Sequence, residues 1–306
     1  MKKILVATQK PFAKEAVEGI KKIVEESGNE FLLLEKYESK DDLIAAVKDV
    51  NALIIRSDKA TKEVIDAAQN LEIIVRGGAG YDNIDLQAAT AKNIVVMNTP
   101  GQNSNAVAEL VFGMAVYMAR NLFNGKPGTE LLGKKLGILA YGNVGRNVAR
   151  IAKGFGMDVY AYDAFVSAEK IEADGVKAVG STEELFKTCQ YVSLHIPATE
   201  QTKKSINYQL IKSMPKDAVL INTARKEIIN EEELLKIMEE RSDLRYISDI
   251  APDCADTFKE KFEGRFFFTP KKMGAQTKEA NINAGLAAAN QIVDFFKTGN
   301  TKFKVN

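Results

Sequence analysis

Short, nearly unbroken apolar runs alternate with stretches of helical period along the whole chain, and no other feature restricts its fold as much. The runs are KILVA, FLLL, ALII, EIIV and IVVM up to Met97, then LGILA, DVYAY, YVSLH, AVLIN and RYISD. A strand that is apolar on both sides must be covered on both faces, so the runs predict parallel sheets sandwiched between helices, an α/β architecture. At 306 residues the chain is long enough for two such domains. The first array fills about residues 1–98. The turn NTPGQNSN then caps a helix over 106–120, with Asn103 or Ser104 as the cap, and NGKPGTELLG opens the second array. A long alanine-rich helix over 277–297 precedes the tail TKFKVN, which reads as a last strand or arm. If that helix crosses back, residues 1–98 and 284–306 form one domain and 99–283 the other.

Charge and cysteine content narrow the class. Lysine and arginine number 42 against 41 acidic residues, so no global field favours nucleic acid or an anionic membrane. Cys189 and Cys254 have no paired spacing and no nearby histidine, which predicts neither a disulfide framework nor a zinc site, and fits a reduced, cytoplasmic setting. The apolar start of MKKILVATQK is too short for a signal-peptide core, and LVFGMAVYMA is too short to span a bilayer.

One turn points to a dinucleotide. After the strand LGILA come AYGNVGR and, beyond a helix, the strand DVYAY, which ends at Asp163. Gly142 would let backbone approach a pyrophosphate, with Asn143 and Val144 in the first helical turn, and Gly145 would let helix and strand pack closely. Asp163 would accept hydrogen bonds from ribose hydroxyls. The first position of the usual three-glycine pattern is Ala140. Asp163 is followed by Ala164 and Phe165, with no arginine to neutralise a 2′-phosphate, so the expected cofactor is NAD.

Several stretches together resemble the D-2-hydroxyacid dehydrogenase family, and its phosphoglycerate dehydrogenase branch most closely. They are IIRS at 54–57, VRGGAGYDNID at 75–85, VVMNTPGQNSNAVAEL at 95–110, the AYGNVGR turn, HIPATEQT at 195–202, INTARKEIINEEEL at 221–234 and SDIAP at 248–252. The resemblance implies a Rossmann-type NAD domain inserted in a flavodoxin-like substrate domain, a cleft between the two, and a homodimer. It also implies a short form without regulatory C-terminal domains. By the same resemblance His195, Ile196, Pro197, Thr223, Ala224 and Asp249 contact the cofactor, Arg225 is the catalytic arginine, and the turn Gly78, Ala79 and Gly80 offers amides to the substrate carboxylate.

The proton-exchanging group departs from the family. Its histidine follows TP at a strand end, paired with a glutamate; this chain has TPKKMGAQT, which puts Lys272 in the histidine's place, and Cys254 in the glutamate's. A carboxylate beside a lysine would hold its pKa high, so loss of the glutamate suits a lysine base. Burial, with Lys271 and Arg225 nearby, would lower it toward neutrality. Lys271 is the alternative acid/base, and His195 is expected to be structural or to touch cofactor. Arg56 and Arg76 end neighbouring strands, where ligands of open α/β sheets bind, and two guanidinium forks suit a phosphate. The expectation is NAD-linked oxidation of 3-phospho-D-glycerate, the entry to serine synthesis. The alternatives are a reductase of glyoxylate, hydroxypyruvate or another small 2-oxo acid, and a non-catalytic NAD-binding regulator.

Overall fold

The structure, a computed structural model, describes residues 1–306 in two units. The first comprises residues Met1–Asn103 and Gln276–Asn306. Its strands are β1 (Lys3–Thr8), β2 (Glu30–Glu35), β3 (Ala52–Ile55), β4 (Ile73–Arg76) and β5 (Val95–Asn98). They are all parallel, in the order β2-β1-β3-β4-β5, which is the flavodoxin-like winding. Alternation along the strands explains their unbroken apolar character. Leu5, Leu53, Ile55 and Ile74 enter one core cluster, while Ile4, Val6, Ile54 and Val75 enter another with Ala288, Ala289 and Ile292 of the helix Lys278–Thr298. Each face of the sheet is thus buried.

The second unit, Ser104–Ala275, contains β6 (Lys135–Leu139), β7 (Asp158–Tyr162), β8 (Lys177–Ala178), β9 (Tyr191–Leu194), β10 (Val219–Asn222), β11 (Arg245–Ser248) and β12 (Phe266–Phe268). The order β12-β11-β10-β9-β6-β7-β8 is again wholly parallel. The winding reverses between β6 and β9, so the turn after β6 lies at the switch point where such sheets hold a dinucleotide. Both sheets agree with the α/β class expected from the apolar runs.

The boundaries differ from the expected ones: contacts divide the chain at 103/104 and 275/276, not at 98/99 and 283/284. The turn after β5 stays with the first unit because the Thr99 amide donates to the Gly78 carbonyl (2.9 Å). The helix Lys278–Thr298 belongs to that unit from its first residue, since the Thr277 side chain caps it and Lys278 pairs with Glu15. Strands β8 and β12 are additions to the sequence reading. The tail is an arm: Val305 donates to the Val96 carbonyl (2.9 Å) and Asn306 Oδ1 accepts the Val96 amide (2.9 Å), which covers part of the free edge of β5.

Candidate active site

In the second unit the strand-turn-helix after β6 has the packing that a dinucleotide turn needs. The helix Asn143–Gly154 starts at Gly142, and a side chain there would meet nothing within 4 Å, so the approach to its first amides is open. A Cβ on Gly145 would lie 2.3 Å from the Ala140 carbonyl oxygen, so only glycine lets the helix sit this close to the turn. Ala140 takes a left-handed φ of 78°, in the place where the usual pattern has glycine. Asp163 receives the amides of Tyr141 (2.6 Å), Phe165 (2.7 Å) and Val166 (3.0 Å). Three of a carboxylate's roughly four acceptor positions are thereby occupied, and the carboxylate ties the ends of β6 and β7 together. Phe165 beside it is almost fully exposed, at 98%. The open helix start, the close turn and an acidic group at the next strand end fit a dinucleotide.

A second cluster forms at the carboxyl ends of β10, β11 and β12. Lys272 Nζ donates to Asp249 Oδ1 (2.7 Å), the Ala224 carbonyl (2.8 Å) and the Thr223 carbonyl (3.0 Å). An ammonium has three donors, and all three are engaged. Asp249 is fully buried; its other oxygen receives the Gly274 amide (2.9 Å), and its carbonyl receives that of Met273 (3.3 Å). The carboxylate therefore holds both the lysine and the turn that carries it. Burial lowers the Lys272 pKa below its ordinary value, the Asp249 charge and hydrogen bond oppose that, and Arg225 adds a smaller lowering push.

This corrects the expected environment of the lysine in two respects. A carboxylate faces Lys272 after all, supplied by Asp249 and not by the position of Cys254. Lys271 is exposed and is not among the charges acting on Lys272. Cys254 is half-buried, and burial together with Glu231 pushes its thiol up to about 12, so it stays protonated. The flanking Asp253 pairs with Lys226, and Asp256 with Lys259. His195, after β9, has its ring between Ser193 Oγ (2.9 Å from Nε2) and Thr223 Oγ1 (3.5 Å from Nδ1). Burial, with the Lys272 charge adding to it, pushes the imidazole down to about 3, so it is neutral. Ile196 is half-buried and Pro197 exposed beside it.

The first unit gathers its cations at the carboxyl edge of its sheet. Arg76, ending β4, donates through Nε to the Arg56 carbonyl (2.9 Å). Its guanidinium lies over Gly78, where a Cβ would fall 1.5 Å from a terminal nitrogen. Gly78 has a φ of 152°, and its amide donates to the Arg76 carbonyl (2.8 Å), so that amide is taken, contrary to expectation. The amides of Ala79 and Gly80 have no acceptor within the chain. Buried Asp58 receives the Gln9 amide (2.7 Å), the Tyr37 hydroxyl (2.7 Å) and the backbone amide of Arg56 (3.4 Å).

The chain is similar to several known proteins. Residues 105–257 match the model of the D-isomer specific 2-hydroxyacid dehydrogenase NAD binding domain. A solved structure of NAD+-bound 3-phosphoglycerate dehydrogenase from Entamoeba histolytica is 51% identical, with a TM-score of 0.91 over 100% of this chain and 98% of that one. The D-3-phosphoglycerate dehydrogenase of Methanocaldococcus jannaschii is 35% identical over 276 residues, 83% of this chain and 51% of that protein. A hydroxypyruvate reductase from Thermotoga maritima is 41% identical over 209 residues, 64% of this chain and 67% of that protein. The chain spans about half the length of the D-3-phosphoglycerate dehydrogenases of Methanocaldococcus jannaschii and Pan troglodytes.

Proposed function

Because the chain belongs to the D-isomer specific 2-hydroxyacid dehydrogenases, we propose that it interconverts 3-phospho-D-glycerate and 3-phosphohydroxypyruvate with NAD, the reaction that opens serine synthesis, and that Lys272 is its acid/base. The observation that carries this reading is the environment of Lys272, a lysine partly withdrawn from water, bound to a buried carboxylate and acted on by Arg225. A surface lysine has no such surroundings.

In the oxidation, the substrate's 2-hydroxyl proton passes to the neutral Lys272 amine while the C2 hydride departs. NAD, when bound, supplies the acceptor for that hydride and its two electrons. Arg225 orients the carboxylate and the developing carbonyl through its planar fork. Arg56 and Arg76 of the first unit take the phosphate dianion, and the Ala79 and Gly80 amides take the carboxylate. In the reverse direction the Lys272 ammonium returns the proton, exchanging one of its three present partners for the substrate oxygen. Gly142, Asn143, Val144, Gly145 and Asp163 would hold the dinucleotide, and His195, Ile196, Pro197, Thr223, Ala224 and Asp249 would be its further contacts.

The test is NADH consumption with 3-phosphohydroxypyruvate by wild type and Lys272→Ala, with NADH binding followed by fluorescence in both. A loss of about 10²- to 10⁴-fold in kcat with binding retained is the expected result. Equal turnover in the two would remove Lys272 from the chemistry. NADH binding without turnover of any 2-oxo acid by the wild type would favour a regulator. The Thermotoga maritima relative motivates a second reading, reduction of an unphosphorylated 2-oxo acid; an unchanged KM in Arg56→Gln would favour it. A cytoplasmic homodimer belongs to the same proposal. Sedimentation would test the dimer.

A further inference from the structure

Arg56 is carried by β3, but its guanidinium is set by the loop after β1. Its central carbon lies 5.1 Å from the centroid of the Phe12 ring, and one terminal nitrogen points to the Pro11 carbonyl (3.4 Å). Phe12 is only 5% exposed. A Cβ on Gly77 would meet Phe12 Cζ at 3.5 Å and Arg56 Cγ at 3.7 Å, so the ring tip, the arginine stem and the backbone after β4 lie close together. The loop is itself anchored, because the Gln9 amide donates to buried Asp58 (2.7 Å) and Thr8 Oγ1 donates to the Lys10 carbonyl (2.7 Å). Asp58 has its oxygens on the Gln9 amide, the Tyr37 hydroxyl and the Arg56 amide, so it fixes the backbone around the arginine.

We propose that Phe12 is a positioning residue for phosphate recognition: its ring, with the Arg56 guanidinium over it, restricts that side chain, and so sets the preference for a phosphorylated over an unphosphorylated 2-oxo acid. The inference rests on the reading of Arg56 as a phosphate ligand. An arginine alone in water samples many rotamers and loses that freedom when it binds an anion. One already laid on an aromatic face has lost part of it beforehand. Phe12 acts through Arg56 and does not touch the substrate.

The test compares 3-phosphohydroxypyruvate with hydroxypyruvate in steady-state reduction by the full chain, for wild type, Phe12→Leu, Phe12→Tyr and Arg56→Gln. Phe12→Leu is expected to raise KM for the phosphorylated substrate about three- to tenfold, the range of one cation–π contact, with kcat and the hydroxypyruvate constants unchanged. Phe12→Tyr, which keeps the ring, should restore the wild-type KM. In the Arg56→Gln background Phe12→Leu should add nothing. Since Phe12 is also a core residue, replacement by 3,5-difluorophenylalanine gives a second measure. It keeps shape and volume while weakening the ring's negative face, and should raise the same KM by a smaller factor. An equal loss on both substrates, or a KM indifferent to fluorination and to leucine, overturns the proposal and leaves Phe12 as core packing. If Arg56→Gln alone abolishes the preference while every Phe12 variant keeps it, the phosphate reading stands and this inference fails. A wild type without preference for the phosphorylated substrate overturns both.

Discussion

At the scale of single residues, the deciding pair is Lys272 and Asp249. Asp249 raises the lysine's affinity for its proton while burial and Arg225 lower it, and the net direction is downward. A base must be neutral to accept the hydroxyl proton, so oxidation should rise with pH through the Lys272 pKa, below the 10.5 of a free lysine, and fall away in more acidic solution. Asp249→Asn removes the influence that holds the pKa up and leaves those that press it down. The rising limb of kcat/KM for oxidation should therefore move to lower pH, and a limb that moves to higher pH, or stays in place, would argue against Lys272 as the titrating group. His195 gives an internal control, because its imidazole is held near 3 and is neutral throughout the working range. His195→Gln should leave the limb where it is, whatever it does to KM for NADH. A lysine in the place of the family's histidine, Lys272 with Lys271 as the alternative, was legible in TPKKMGAQT. The Asp249 contact was not, since 23 residues separate the partners and their meeting depends on β12 lying beside β11.

At the scale of elements, the strands and the nucleotide turn were readable because each is long enough for its pattern to count. β8 has two residues and β12 three, too few for a period. β12 is held by tertiary contacts, with Phe266 and Phe268 packed around Phe258 and Tyr246 at centroid distances of 4.9–5.8 Å. The turn after β6 shows two glycine positions with opposite tolerance. Gly145→Ala would drive a methyl into the Ala140 carbonyl at 2.3 Å, a backbone atom that cannot swing aside, so a loss of about 1–3 kcal/mol and weaker NADH binding are expected. Ala140 already carries a side chain at a left-handed φ, so Ala140→Gly relieves strain of about 1 kcal/mol, partly offset by the freer unfolded chain. Chemical denaturation of the two variants should give opposite signs, or a clear loss for Gly145→Ala against no change for Ala140→Gly. Equal losses would mean that the turn is held by something other than this contact.

At the scale of the whole molecule, each unit has its own parallel sheet and its own pair of core clusters, drawn from residues of that unit alone. The first unit is assembled from both ends of the chain, and the second is one continuous segment. The alternation of strands and helices made this division legible, but not its boundaries, which depend on a capping threonine and a turn hydrogen bond that propensity does not rank. Because the dinucleotide turn, Asp163 and Lys272 all lie in Ser104–Ala275, NADH should stabilise that segment directly. At a hundred times its dissociation constant the ligand adds about 2.7 kcal/mol to the state it binds, which for a unit of this size raises the melting midpoint by roughly 5–10 °C. Scanning calorimetry with and without NADH should therefore resolve two transitions, of which one moves and one stays. The moving transition should be absent from the response of Gly145→Ala if the turn is where the dinucleotide is held. A single transition that shifts as a whole would show instead that the two units unfold as one cooperative block, so that binding energy gained by the nucleotide unit also stabilises the residues that carry Arg56 and Arg76.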